Sequence, residues 1–231
     1  MLNLNDIDFF DDNRYLGKKS LNLAELKDFD FNIPDSYVIF EKELKNINKL
    51  QIPFEKVAVR SAALGEDDST ASFAGIFKSK LNITKENYLE AIKEVNESFY
   101  SRKAEVYQKL KKVSIEPQIL VQKMIESKYS MVIFIKDRKI TFSLIEGSCE
   151  KIVSGKYISK EFNFEIKKMK SFFNKFNRQN QEFKELNLKE FFDKFLLIDL
   201  IKHPNDYISL DIETTFDGNK WWILQLRELN I

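Results

Sequence analysis

Apolar positions in the first half of the chain recur mostly at helical spacing. Between residues 19 and 29, Leu21, Leu23 and Leu26 fall near one helix face, and Ile33-Pro34-Asp35 ends the run. In 54–63 the pattern shortens: Val57-Ala58-Val59 followed by Arg60-Ser61 predicts a short buried strand whose end delivers polar groups. A loop rich in acids and small residues follows over 65–75. Leu89, Ile92, Val95 and Phe99 then step by threes and fours. They predict a helix capped by Thr84, with Glu86 near its positive end, running to about Lys111.

After Pro117 the texture changes. Residues 118–125, 129–136 and 140–145 predict a meander of antiparallel strands separated by short polar turns. The stretch 160–189 alternates Phe with Lys, Asn and Gln and predicts helices on the surface of a second lobe. An amphipathic helix is predicted over 188–201, stopped at His203-Pro204-Asn205. Strands at 207–216 and 220–229 close the chain through Asp217-Gly218, a hairpin signal. The expected class is α+β: one compact unit, helix-rich in a first lobe over about 1–115 and sheet-rich in a second over about 116–231.

Composition narrows the function. A chain of 231 residues with 43% apolar side chains buries a core, which excludes a disordered protein. Its 37 Lys and Arg against 36 Asp and Glu leave a net charge of +1, so no global field draws in nucleic acid or an anionic membrane. One Cys excludes a disulfide framework and a structural zinc site. The opening residues carry acids where a signal peptide needs a basic region, and no apolar run approaches the roughly 18 residues of a membrane span. A cytoplasmic location is expected.

Side chains alternate along a strand, so parity sorts the last hairpin. Tyr207, Ser209, Asp211 and Glu213 share one face of the first strand, and Trp221, Ile223, Gln225 and Arg227 share one face of the second. If pairing joins these faces, two carboxylates offer oxygen ligands to a divalent cation beside a Gln/Arg pair able to bind phosphate. Otherwise they are the solvated face of an antiparallel sheet. Arg60, ending an apolar strand, needs an anion, whether a ligand or Glu66 or Asp67. The small residues up to Gly75 allow backbone N–H groups to approach phosphate oxygens. Neither a Walker A spacing nor a dinucleotide glycine fingerprint is present.

Taken in order, these segments resemble the N-terminal nucleotide-binding domain of the pyruvate phosphate dikinase and phosphoenolpyruvate synthase family, a two-lobed ATP-grasp. Gly17-Lys18-Lys19-Ser20-Leu21-Asn22-Leu23-Ala24-Glu25-Leu26 is similar to its "GGKGANLAEL", and Ile33-Pro34-Asp35-Ser36-Tyr37-Val38-Ile39 to "VPPGFVI". Residues 57–75 are similar to "VAVRSSATAEDLPDASFAG", and Val121-Gln122-Lys123-Met124 to "VQKM". Gly147, Glu150, Val153, Ser154 and Gly155 keep the outline of "GLGEAVVSG". Asp211-Ile212-Glu213 and Ile223-Leu224-Gln225-Leu226-Arg227 look like "DIEWA" and "ILQSRP".

The resemblance implies roles by position. Lys19 matches the phosphate-binding lysine, Arg60 the arginine on the transferring phosphates, and Arg227 a second phosphate arginine. These three are the implied catalytic residues. Ser72, Phe73, Ala74 and Gly75 match the backbone loop over the phosphates, and Gln122, Lys123 and Met124 the segment crossing the adenine. Glu213 and Gln225, with Asp211 beside them, match the ligands of a Mg2+ ion bound with ATP. Departures are visible: Lys18 and Ser20 replace two glycines, Thr214 a Trp, Leu226 and Glu228 a Ser and a Pro, and Ser148-Cys149 interrupts a glycine turn.

In the family the phosphoryl or pyrophosphoryl group passes to a histidine on a swivelling domain, then to pyruvate, a glucan, an antibiotic or an amide such as glutamine. The histidine of this chain, His203, lies beside Pro204 at a helix stop, the setting of a capping or surface residue. The carrier histidine is therefore expected on another part of a longer chain or on a separate protein. The alternative is a non-catalytic nucleotide-binding or regulatory module. RNA binding through residues 167–189 is disfavoured by Glu182, Glu185 and overall neutrality.

Overall fold

A computed structural model describes residues 1–7, 15–66, 75–153, 155, 157–202 and 209–229. The chain divides into two compact units, Met1–Ile125 and Glu126–Ile231.

The first unit is built on an antiparallel sheet of five strands: β1 (Leu2–Asn3), β2 (Ser36–Phe40), β3 (Lys56–Ser61), β4 (Ser79–Thr84) and β5 (Gln118–Lys123), in the order β1-β2-β5-β3-β4. Helix α1 (Lys18–Asp28) precedes β2, while α2 (Tyr88–Phe99) and α3 (Arg102–Lys111) lie between β4 and β5. The spacing seen in the sequence places Ala91, Ile92, Val95 and Phe99 of α2 in one apolar cluster with Ile39, Val57, Val59, Ile119 and Val121 of the sheet.

Two expectations change here. Thr84 ends β4 instead of capping a helix; its Oγ1 accepts a hydrogen bond from Asn87 Nδ2 (3.3 Å), and α2 starts at Tyr88. The helix predicted to reach Lys111 is two helices, because Ser101 adopts an extended backbone and its hydroxyl accepts from Ala104 N (3.2 Å), capping α3.

The second unit has five antiparallel strands in the order β10-β9-β6-β7-β8, where β6 is Tyr129–Lys136, β7 Lys139–Glu146, β8 Lys160–Glu165, β9 Ser209–Phe216 and β10 Trp221–Leu229. Helices α4 (Met169–Gln179) and α5 (Leu188–Lys202) follow β8. Of the three segments predicted to form a meander, 129–136 and 140–145 pair in this sheet and 118–125 does not join them. Residues 118–122 are buried without interruption, a pattern that suits an interior strand, and β5 sits between β2 and β3 of the first sheet.

Residues 160–189 also differ from the surface helices expected. Their first six residues form edge strand β8, and Phe173, Phe176 and Phe183 are buried. Phe142 of β7 lies 5.1–6.4 Å, centroid to centroid, from the rings of Phe162, Phe164, Phe172, Phe176 and Phe192. These rings form the core of the second unit and are not available to stack on bases. The class is α+β, as the pattern predicts. Among the described residues no helix is long and apolar enough to cross a membrane.

Candidate functional site

The candidate residues of the first unit are fixed by the docking of α1 on the end of β3. A Cβ on Gly17 would lie 2.1 Å from the carbonyl oxygen of Ala62 and 2.6 Å from that of Ala63, so the approach requires glycine. Gln118 secures the same turn: its Oε1 accepts from Gly17 N (3.0 Å) and its Nε2 donates to the Tyr15 carbonyl (2.6 Å).

Lys19 follows in the first turn of α1, which holds no acid to match the positive helix end. Its ammonium is buried, paired with the Glu66 carboxylate and donating to Ser61 Oγ at 3.4 Å. Glu66 is 2% exposed. Its Oε1 also accepts from Ser61 Oγ (2.9 Å) and its Oε2 from Ala63 N (3.1 Å). The sequence offered Glu66 as a counterion for Arg60; the structure places it on Lys19. Asp67 lies outside the described residues.

Register joins Arg60 and Gln122. Ala58 pairs with Gln122 and Arg60 with Leu120, while Gln122 pairs with Ser36 on its other side. Arg60 and Gln122 therefore share one face of the sheet, and the opposite face carries Val57, Val59 and Val121 toward α2. Both side chains are buried. Lys123 takes the other parity; its ammonium lies 3.6 Å from Asp35 Oδ2, and its N–H donates to the Asp35 carbonyl (2.8 Å). Met124 N donates to the Lys56 carbonyl at 3.0 Å. Gly75 has φ +68°, and its carbonyl accepts from Lys103 Nζ (2.8 Å). Ser72, Phe73 and Ala74, as well as His203, lie outside the described residues.

In the second unit the decisive feature is a β-bulge. From the hairpin end the pairs run Trp221 with Phe216, Trp222 with Thr215 and Ile223 with Thr214; then Leu224 is skipped, and Gln225 meets Glu213, Leu226 meets Ile212 and Arg227 meets Asp211. Strict parity would keep Gln225 and Arg227 on the face of Trp221 and Ile223, which are buried in the core. The extra residue moves them to the opposite face, directly across from the two carboxylates. Asp211, Glu213 and Arg227 are half-buried there and Gln225 is buried.

Asp217 anchors this hairpin: Oδ1 accepts from Asn219 N (2.7 Å) and Lys220 N (2.8 Å), and Oδ2 from Trp222 Nε1 (2.7 Å). Burial pushes its carboxyl upward, but these bonds and the Lys220 charge together outweigh it and hold the group below its ordinary value.

Two carboxylates and an amide oxygen are hard donors, the kind magnesium takes when substrate phosphates complete its shell. No group of three or more His, Cys, Asp or Glu able to hold a metal occurs among the described residues.

Residues 40–194 match the family described as pyruvate phosphate dikinase, AMP/ATP-binding domain. The chain is 32% identical over 201 aligned residues to the uncharacterized phosphotransferase YvkC of Bacillus subtilis (strain 168), a match covering 66% of this chain and 24% of that protein. It therefore spans about a quarter of the length of this relative. Among solved structures, PH1788 of Pyrococcus horikoshii Ot3 aligns with a TM-score of 0.52 at 15% identity, covering 96% of this chain and 94% of the other. The dinucleotide-forming acetyl-coenzyme A synthetase 1 of Ca. Korarchaeum cryptofilum aligns with a TM-score of 0.53 at 12% identity, covering 89% of each chain. At such identities the two structures speak for the fold alone.

Proposed function

Since the chain belongs to the family of pyruvate phosphate dikinase AMP/ATP-binding domains, with their ATP-grasp fold, we propose that it binds Mg·ATP and passes a phosphoryl or pyrophosphoryl group to a histidine on a separate carrier domain. The carrier lies on the same longer chain or on another protein. The observation that carries this reading is the bulged register setting Gln225 and Arg227 across from Glu213 and Asp211.

In this reading Lys19, Arg60 and Arg227 neutralise the phosphate oxygens, and Arg227 offers a planar fork of donors to two of them. Gln122, Lys123 and Met124 border the base, and Gly75 ends the loop that covers the phosphates. Magnesium, held by Asp211, Glu213 and Gln225, would supply further neutralisation of the phosphate charge. For pyrophosphoryl transfer, a nitrogen of the carrier histidine attacks the β-phosphorus, the bond from that phosphorus to the α,β-bridging oxygen breaks, and AMP leaves. The chain's residues contribute positioning and charge stabilisation, and the nucleophile comes from elsewhere. The final acceptor, such as pyruvate, a glucan or antibiotic hydroxyl, or an amide, is chosen by other domains.

Thermal shifts with Mg·ATP, Mg·ADP and AMP test the binding, because a ligand of the folded state raises its stability by mass action. A metal-dependent shift lost in Glu213→Ala and Arg60→Ala is expected; an unchanged nucleotide response in both variants rejects the site. Release of AMP when a carrier domain is supplied separates transfer from the non-catalytic alternative, which binds ATP without releasing AMP.

A further inference from the structure

The structure assigns Glu66 as the residue that positions Lys19, an inference that rests on the proposed role of Lys19 at the phosphates. Four observations converge on it. Glu66 is 2% exposed, and Lys19 is 6% exposed. Both carboxylate oxygens of Glu66 are engaged: Oε1 by Lys19 Nζ and by Ser61 Oγ at 2.9 Å, Oε2 by Ala63 N at 3.1 Å. Ser61 closes a three-membered network, since its Oγ also accepts from Lys19 Nζ at 3.4 Å. The backbone beneath the network is held by the close approach of Gly17 to Ala62 and Ala63.

Lysine ends in a compact charge on a flexible four-carbon stem, and catching a phosphate with it ordinarily costs the side chain its rotamer freedom. Here that freedom is removed during folding. Glu66 holds the ammonium against the end of β3, the strand that carries Arg60. Such preorganisation improves binding by lowering the ordering required when ligand arrives. It also relieves the cost of two successive lysines at the positive end of α1. Glu66 touches no ligand in this account and acts through Lys19 alone. A sequence reading misses it because an acid after Arg60 is an equally good partner for the arginine.

The test is a double-mutant cycle on the whole chain, with Kd for Mg·ATP and for AMP measured by calorimetry in wild type, Glu66→Gln, Lys19→Met and the double variant. Glu66→Gln keeps the shape and removes the charge. A loss of about tenfold in ATP affinity is expected in the wild-type background, with AMP binding unchanged and almost no further loss in the Lys19→Met background. Equal losses for ATP and AMP, or the same loss in both backgrounds, would mean that Glu66 only supports the fold and would overturn the assignment. Should Glu66→Gln fail to fold, Ser61→Ala loosens the same network with a smaller ATP-specific loss, and an unchanged ATP affinity in that variant rejects the inference. Equal ATP affinity in wild type and Lys19→Met sinks the proposed role of Lys19 and this inference with it. A Lys19→Met loss with no Glu66→Gln loss sinks this inference alone.

Discussion

In the first unit Lys19, Arg60 and Gln122 are part of what is buried, whereas in the second, three of the four candidate residues stand half-buried on the sheet face that does not carry the core. Lys19, Arg60, Glu66, Gln118 and Gln122 are all under 10% exposed. Lys19, Glu66 and Gln118 are tied to backbone or to each other by hydrogen bonds that also hold α1 on the sheet. Asp211, Glu213 and Arg227 stand beside a core built from phenylalanine rings on other strands and helices. The first unit therefore couples site to stability, and the second separates them. Buried charges are tolerated only when paired, so a change at one member of the first set strands another.

The largest effect expected lies in the second unit and away from its candidate site. Phe142→Ala removes the ring around which five others gather and should cost about 3–5 kcal/mol in urea unfolding. Separation of site from core predicts that any variant remaining folded keeps its nucleotide-dependent shift. Next, Arg60→Ala should lower stability by about 1–3 kcal/mol without ligand, while Glu213→Ala stays within about 0.5 kcal/mol of wild type. Equal losses in that pair would break the comparison. Gly17→Ala forces a methyl group against two carbonyl oxygens and should cost about 1–3 kcal/mol, together with ATP affinity, because Lys19 moves with α1. An affinity unaltered in a destabilised Gly17→Ala protein would show that the coupling is absent.

The smallest effect concerns Asp217. Its carboxyl is held below the ordinary value in the folded state, so its contribution is full above the usual carboxylate range and disappears as pH falls through the folded value. Asp217→Asn should lower the urea midpoint slightly at neutral pH, with the difference closing in acid. A gap that persists in acid would assign the loss to hydrogen-bond geometry instead of charge.

Much of this was legible in the residues. The apolar steps of α2, the strand ending in Arg60 and the Asp217-Gly218 hairpin are local signals, and each element forms near where the pattern puts it. Strands β1, β2 and β4 escaped notice because each is short or mixed in character and takes its identity from its neighbours. The place of β5 is a long-range matter, since its partners Ser36–Phe40 lie some 80 residues upstream on the chain. At the site, residue types were readable but pairings were not. Nothing in the strand pattern distinguishes Lys19 from Arg60 as the partner of Glu66, and parity alone leaves open whether Gln225 and Arg227 join the face of Asp211 and Glu213.

The skipped residue at Leu224 makes the second unit's site depend on counting rather than on chemistry. Were the strand to straighten so that Leu224 paired with Glu213, every proposed ligand would remain in the sequence and yet Gln225 and Arg227 would turn toward the aromatic core, away from Asp211 and Glu213, whereas deleting Leu224 would remove the bulge and keep them in place. A relative could conserve all four polar residues and still lack the arrangement. In comparing such chains, the number of residues between Asp217-Gly218 and the Gln-x-Arg segment is as informative as the residues themselves.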